Sequence, residues 1–183
     1  MDIAVVYESM FGNTHAVAEA IATGARDADP SARVDVLPVA AAKSDDVARA
    51  GLLIVGGPTH IRRMSSGFSR RKGLAAQEET ARGRGADFTR EPEAEGPGVR
   101  DWFDALPSVP PGRRAAAFDT RADLKLAGGA ARGIARRLRH LGYELAAPPE
   151  GFVITGAEGP LQAGEAERAR AWGAALVRQP AHS

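Results

Sequence analysis

The chain contains no cysteine. Disulfides, iron–sulfur clusters, thiol nucleophiles and thiolate zinc sites are thereby excluded, so any redox chemistry must come from a bound organic cofactor. A charge of one sign is also missing: 24 Lys and Arg stand against 23 Asp and Glu, and a net charge of +1 gives no global field to attract nucleic acid or an anionic membrane. No stretch approaches the ~18–20 apolar residues of a membrane span, and Met1 to Tyr7 lacks the basic start and long apolar run of a secretory signal. The expectation is a soluble cytoplasmic protein with no nucleic-acid partner and no membrane insertion. Three motifs are absent as well. The first strand-to-helix loop has no Gly-Lys-Ser/Thr of a Walker loop, no Gly-x-Gly-x-x-Gly follows Tyr7, and Ser65-Ser66 lacks the Gly-x-Ser-x-Gly elbow of a hydrolase. His15, His140 and His182 show no partnered carboxylate at useful spacing, so no catalytic acid, base or nucleophile stands out.

What is present is a regular alternation. Ile3–Tyr7 is a short β-branched run, followed by a loop from Glu8 to Gly12 and a helix starting near Asn13 with Val17 and Ile21 on one face. Arg33–Val39 reads as a second strand, and Ser44 as the cap of a short helix running to Arg49. Leu52–Val55 is a continuous apolar run suited to a strand buried on both faces. Ala115–Phe118 is a fourth strand, and Ala130, Ile134, Leu138 and Leu141 recur at helical spacing until Gly142 stops the helix. A fifth strand falls between Tyr143 and Ile154, interrupted at Pro148-Pro149, with its main part at Phe152–Thr155; Glu165–Val177 closes the domain as a helix burying Ala169, Trp172 and Leu176. Such alternation gives βαβ units and a parallel sheet. One domain over residues 1–178 follows, with a tail at 179–183. Between Arg62 and Gly98 the period fails among charges, Gly and Ser, which marks a mobile insertion; Val99, Phe103 and Leu106 then restore a helix.

In an open parallel sheet, ligands sit beyond the carboxyl ends of the strands. Three loops should meet there. Ser9-Met10-Phe11-Gly12-Asn13-Thr14 places hydroxyls and a glycine where backbone amides and a helix N-terminus favour a phosphate, although an ordinary capped turn has the same composition. Gly56-Gly57-Pro58-Thr59-His60 lets a flat ligand approach the backbone, with His60 against or donating to its ring; common turn chemistry is the alternative. Phe118-Asp119-Thr120-Arg121 offers backbone and a guanidinium to the polar edge of a ring, or simply an Asx or Thr turn.

On these residues the chain resembles the flavodoxin-like family. Tyr7-Glu8-Ser9-Met10-Phe11-Gly12-Asn13-Thr14 is similar to that family's Thr/Ser-x-Thr-Gly-x-Thr phosphate signature, most of all to the flavodoxin modules of flavodiiron proteins. The other two segments fall where the family's ring-flanking loops belong. The resemblance implies a doubly wound five-stranded parallel sheet of order 2-1-3-4-5. It implies flavin mononucleotide (FMN) as cofactor, with phosphate at Ser9 to Thr14 and isoalloxazine between the loops at Pro58 and Asp119. It also implies electron or hydride transfer between a donor such as NAD(P)H and a redox partner protein or small acceptor. A quinone reductase or protoporphyrinogen oxidase type of enzyme falls within the same family, and so does a binding or regulatory module that has lost tight FMN binding. Three features depart from the pattern: His60 stands where a Trp is common, Asp119 to Gly129 contains no Tyr or Trp, and Phe11 takes the place of a hydroxyl. The basic Arg62, Arg63, Arg70, Arg71 and Lys72 are followed by Glu78, Glu79, Glu91, Glu93 and Glu95, as in a solvated segment.

Overall fold

The structure is a computed structural model that describes residues 1–59, 98–123, 129–156 and 158–179. Eleven elements follow one another among them: β1 Asp2–Tyr7, α1 Asn13–Ala28, β2 Arg33–Pro38, α2 Ser44–Arg49, β3 Leu52–Pro58, α3 Val99–Asp104, β4 Arg114–Ala122, α4 Ala130–His140, β5 Glu144–Leu145, β6 Glu150–Ile154 and α5 Glu165–Arg178. The strands form one parallel sheet of order β2-β1-β3-β4-β5, and β6 continues the last position by pairing with the far half of β4. The expected order 2-1-3-4-5 is therefore the observed one. The expected fifth strand is present in two pieces, split where Pro148 and Pro149 remove two amide donors from the ladder.

Alternation along β3 explains the layers. Leu52 and Ile54 face a core shared with α1 and α5, where Val17, Ile21, Phe118, Phe152 and Leu176 meet, whereas Leu53 and Val55 face Val47, Trp102, Phe103, Ile134 and Leu138 of α2, α3 and α4. Helices α1 and α5 approach so closely that a Cβ on Gly173 would strike the Ile21 carbonyl, so the crossing depends on that glycine. Phe118, Phe152 and Trp172 pack edge to face beneath the carboxyl half of the sheet.

Three local expectations need correction. Ser44 is the first residue of α2 rather than its cap; Lys43 holds the cap position in extended backbone and gives no side-chain bond. Gly56, Gly57 and Pro58 belong to β3, paired with Phe118, Asp119 and Thr120 of β4. Pro58 is tolerated because pairing with β1 ends at Gly56, leaving no strand on the side that its missing N–H would address. Likewise Asp119, Thr120 and Arg121 are strand residues, not a loop: β6 gives them a second partner, in register with Gly151, Phe152 and Val153. The segment expected as an insertion, and His60 before it, lie outside the described residues apart from Gly98 at its end.

Candidate functional site

The carboxyl edge of the sheet is built where β1 passes into α1. Gly12 precedes the helix in the left-handed region, with φ +82°, a conformation that opposes a Cβ and fits the glycine of the motif. Its amide donates to Ser9 Oγ at 3.1 Å, which folds the loop back on itself. Ser9, Met10 and Thr14 are buried, while Phe11, Gly12 and Asn13 form the partly exposed rim. Helix α1 has 16 residues and no acidic residue in its first turn, so its first-turn amides and positive dipole end are not countered from within the helix.

Thr14 and Thr120 join two of the segments expected to meet. Their hydroxyls lie 2.8 Å apart and are almost wholly buried. Thr120 can reach Thr14 because alternation along β4 sends Phe118 and Thr120 to the α1 face and Asp119 to the α4 face. Asn13 is held from another side, donating Nδ2–H to the Glu158 carbonyl at 2.6 Å. The segment after β6 therefore clasps the rim of the loop, a contact that no local sequence pattern announces.

Asp119 has no exposed surface. Its Oδ2 accepts the Ala131 amide at 2.9 Å, and Thr59 Oγ1 accepts the Ala130 amide at 2.9 Å; the two residues cap α4 from β4 and from the end of β3. No residue of α4's own cap does this, since Gly129 carries no side chain. Asp119 Oδ1 accepts no hydrogen bond among the described residues, and Arg121 Nε stands 3.9 Å from it. Burial pushes the Asp119 carboxyl above its ordinary range, with the Ala131 amide, the Arg121 guanidinium and the nearby Thr59 hydroxyl opposing that rise.

The sequence-derived candidates therefore divide. Ser9, Gly12, Asn13, Thr14 and Thr120 form one contiguous group, and Thr59, Asp119 and Arg121 a second group at the head of α4. Pro58 and Asp119 sit on adjacent paired strands, about 4.8 Å apart between backbones, at the carboxyl edge of the sheet. Two side chains make contacts that the sequence reading does not foresee. Buried Glu8 takes the Val99 amide on Oε2 at 2.9 Å and so holds the head of α3. His15 does have a carboxylate, Glu19 at 3.7 Å, and its ring stacks on Tyr7 with centroids 4.6 Å apart. The i,i+4 spacing of His15 and Glu19 was the available signal.

The chemistry of the first group fits a phosphate. Ser9 Oγ accepts from Gly12 and keeps its own proton to donate. In the Thr14–Thr120 pair one hydroxyl donates to the other, and the accepting one likewise keeps a proton. The one carboxylate within the loop region, Glu8, is turned to the Val99 amide. Among the described residues no group of His, Asp or Glu is arranged to hold a metal ion, and no helix is long and apolar enough to cross a membrane.

No family model and no curated protein matches the chain. Solved structures do. An oxidised flavodoxin 1 from Bacillus cereus superposes with a TM-score of 0.65 at 16% identity, covering 98% of this chain and 99% of that one. A flavodoxin from the domain Archaea gives 0.60 at 22% identity, with 97% and 96% covered. The Flv1 flavodiiron core from Synechocystis gives 0.58 at 14% identity, with 97% of this chain on 35% of that one. With the strand order, these likenesses establish a flavodoxin-like fold.

Proposed function

We propose that this flavodoxin-like chain binds FMN and passes electrons or hydride between a cytoplasmic donor, NAD(P)H among the candidates, and a redox partner protein or small acceptor. The observation that carries the reading is the loop Ser9–Thr14: hydroxyl and amide donors, a left-handed glycine and the head of a long helix converge on one rim. Solved neighbours named as flavodoxins support it through the fold. Bound flavin supplies the ability to take up and release one or two electrons, which a chain without cysteine lacks. The protein's share is to hold the phosphate through Ser9, Asn13, Thr14 and Thr120 and to seat the ring across the edge marked by Pro58, Thr59, Asp119 and Arg121. Met10, Phe11 and Gly12 shape the floor and rim of the phosphate loop. His60, which follows Thr59, belongs to the same proposal. Turnover of a quinone reductase or protoporphyrinogen oxidase type is the enzymatic form of this reading.

A second reading, a cofactor-free binding or regulatory module, draws on one observation: the Ser9, Asn13 and Thr14 side chains are already bonded to protein groups. One experiment separates the two. Purified protein is mixed with FMN, free flavin is removed by gel filtration, and absorbance and fluorescence are recorded from ~350 to 500 nm, the region of flavin absorption. Retained flavin with perturbed bands is expected; no retention at tens of micromolar, the range of weak binding, overturns the FMN reading in favour of the module.

A further inference from the structure

Helix α4 carries a stripe of charge that no described residue answers. It buries Ala130, Ala131, Ile134, Ala135 and Leu138 against the sheet and turns Arg132, Arg136 and Arg139 outward, all exposed, with no acidic residue anywhere on the helix. None of these three makes a hydrogen bond or ion pair among the described residues, whereas Arg33, Arg49, Arg137, Arg168 and Arg170 each close an ion pair. Arg132 and Arg136 stand four apart, a spacing at which like charges repel and a surface helix gains from alternating sign. The near-zero net charge thus conceals a locally basic face, spanning about 10 Å along the axis from Arg132 to Arg139.

Its placement matters as much as its charge. The amides of Ala130 and Ala131 at the head of α4 are held by Thr59 and Asp119, so Arg132 lies within one turn of the carboxyl edge. A body docked along the stripe adjoins the proposed cofactor site.

We infer that the outer face of α4, through Arg132, Arg136 and Arg139, is the docking surface for an acidic protein partner in electron exchange, an inference that rests on the FMN reading for its purpose but not for its geometry. An acidic protein surface suits a three-charge stripe better than nucleic acid, whose binders neutralise many phosphates and whose affinity scales with that number. Opposite charge would guide the encounter and orient the partner over the site, and the effect would fade as salt shortens the screening length below ~10 Å.

The probe is a short fluorescein-labelled poly-L-glutamate peptide, titrated by anisotropy into the protein as purified at low and high salt, with duplex DNA of equal charge as competitor. Wild type is expected to bind the peptide in a salt-sensitive way. Arg132→Ala/Arg136→Ala/Arg139→Ala should weaken it by roughly tenfold or more, and the triple Lys variant should retain it, since both follow from charge alone. In the flavin-loaded protein, reoxidation by ferricyanide should slow in the Ala variant and that by hexaammineruthenium(III) should not. Equal peptide binding by wild type and Ala variant would leave the stripe a merely solvated face and overturn the inference. So would preferential binding of DNA, which points to a nucleic-acid partner, or unchanged ferricyanide rates, which separate the stripe from the site. Failure to retain flavin sinks the functional reading alone, because the peptide titration needs no cofactor.

Discussion

The loop Ser9–Thr14 and the end of β4 lie side by side, joined by the hydroxyls of Thr14 and Thr120, yet they are opposite in kind. The first offers donors: the Ser9 hydroxyl with a proton to spare and the head of a 16-residue helix. The second is centred on a buried carboxylate, one oxygen of which serves the Ala131 amide while the other accepts no hydrogen bond among the described residues and has Arg121 Nε at 3.9 Å. A donor-rich loop suits an anion, and a strand end already bearing a carboxylate does not. On the proposed FMN reading, the phosphate belongs at the head of α1 rather than at the head of α4, which Asp119 and Thr59 already occupy.

The largest way to break the comparison is to remove the support beneath both regions. Phe118 is fully buried against Phe152 and Trp172, and Phe118→Ala should cost about 3–5 kcal/mol of folding stability, measured by urea denaturation. The joint itself comes next. Thr14→Val or Thr120→Val leaves the other hydroxyl buried and unpaired, a loss of about 1–3 kcal/mol each, whereas the double Val variant should recover part of it because neither hydroxyl remains. Additive losses in that cycle would mean that the pair is not a coupled contact.

How far the sequence foretold this arrangement depends on the kind of residue. Leu52–Val55 and the Ala130–Leu138 period are long, regular signals, and both elements are present, as is the strand order implied by the resemblance. The ends of β3 and β4 read as loops because Gly56-Gly57-Pro58 and Asp119-Thr120 carry turn composition. What holds them extended is pairing with each other and with β6, remote in sequence. The same distance hid Glu8 bonding Val99 and Asn13 bonding Glu158. Gly12 is legible because a left-handed residue before a helix favours glycine locally.

Smaller changes sharpen the contrast between donor and acceptor. Ser9→Ala deletes the acceptor for Gly12 and should lower stability by about 0.5–1.5 kcal/mol in a thermal melt, with an added loss of FMN affinity. Asp119→Asn alters a slope rather than an offset. The folded carboxyl is held above its ordinary value of 3.8, so the folded state binds its proton more tightly and stability falls as pH rises from about 4 through the folded pKa. The variant lacks that dependence, and its stability relative to wild type should increase with pH across this window in melts taken from about pH 4 to 8. Glu165 acts in the reverse sense: Arg168, the first of its causes, holds it below 4.5, so its contribution is present above that pH and lost as pH falls through the folded value. A stability difference that stays flat with pH would show that Asp119 is not displaced by burial.

The proposed phosphate site at Ser9–Thr14 is tested most directly by affinity for two ligands that differ only in that phosphate. FMN and riboflavin are titrated into wild type and Thr14→Ala. The substitution should weaken FMN by roughly tenfold or more while riboflavin changes by no more than about twofold, one hydrogen bond to a charged group being the difference. Equal losses for both ligands would contradict it.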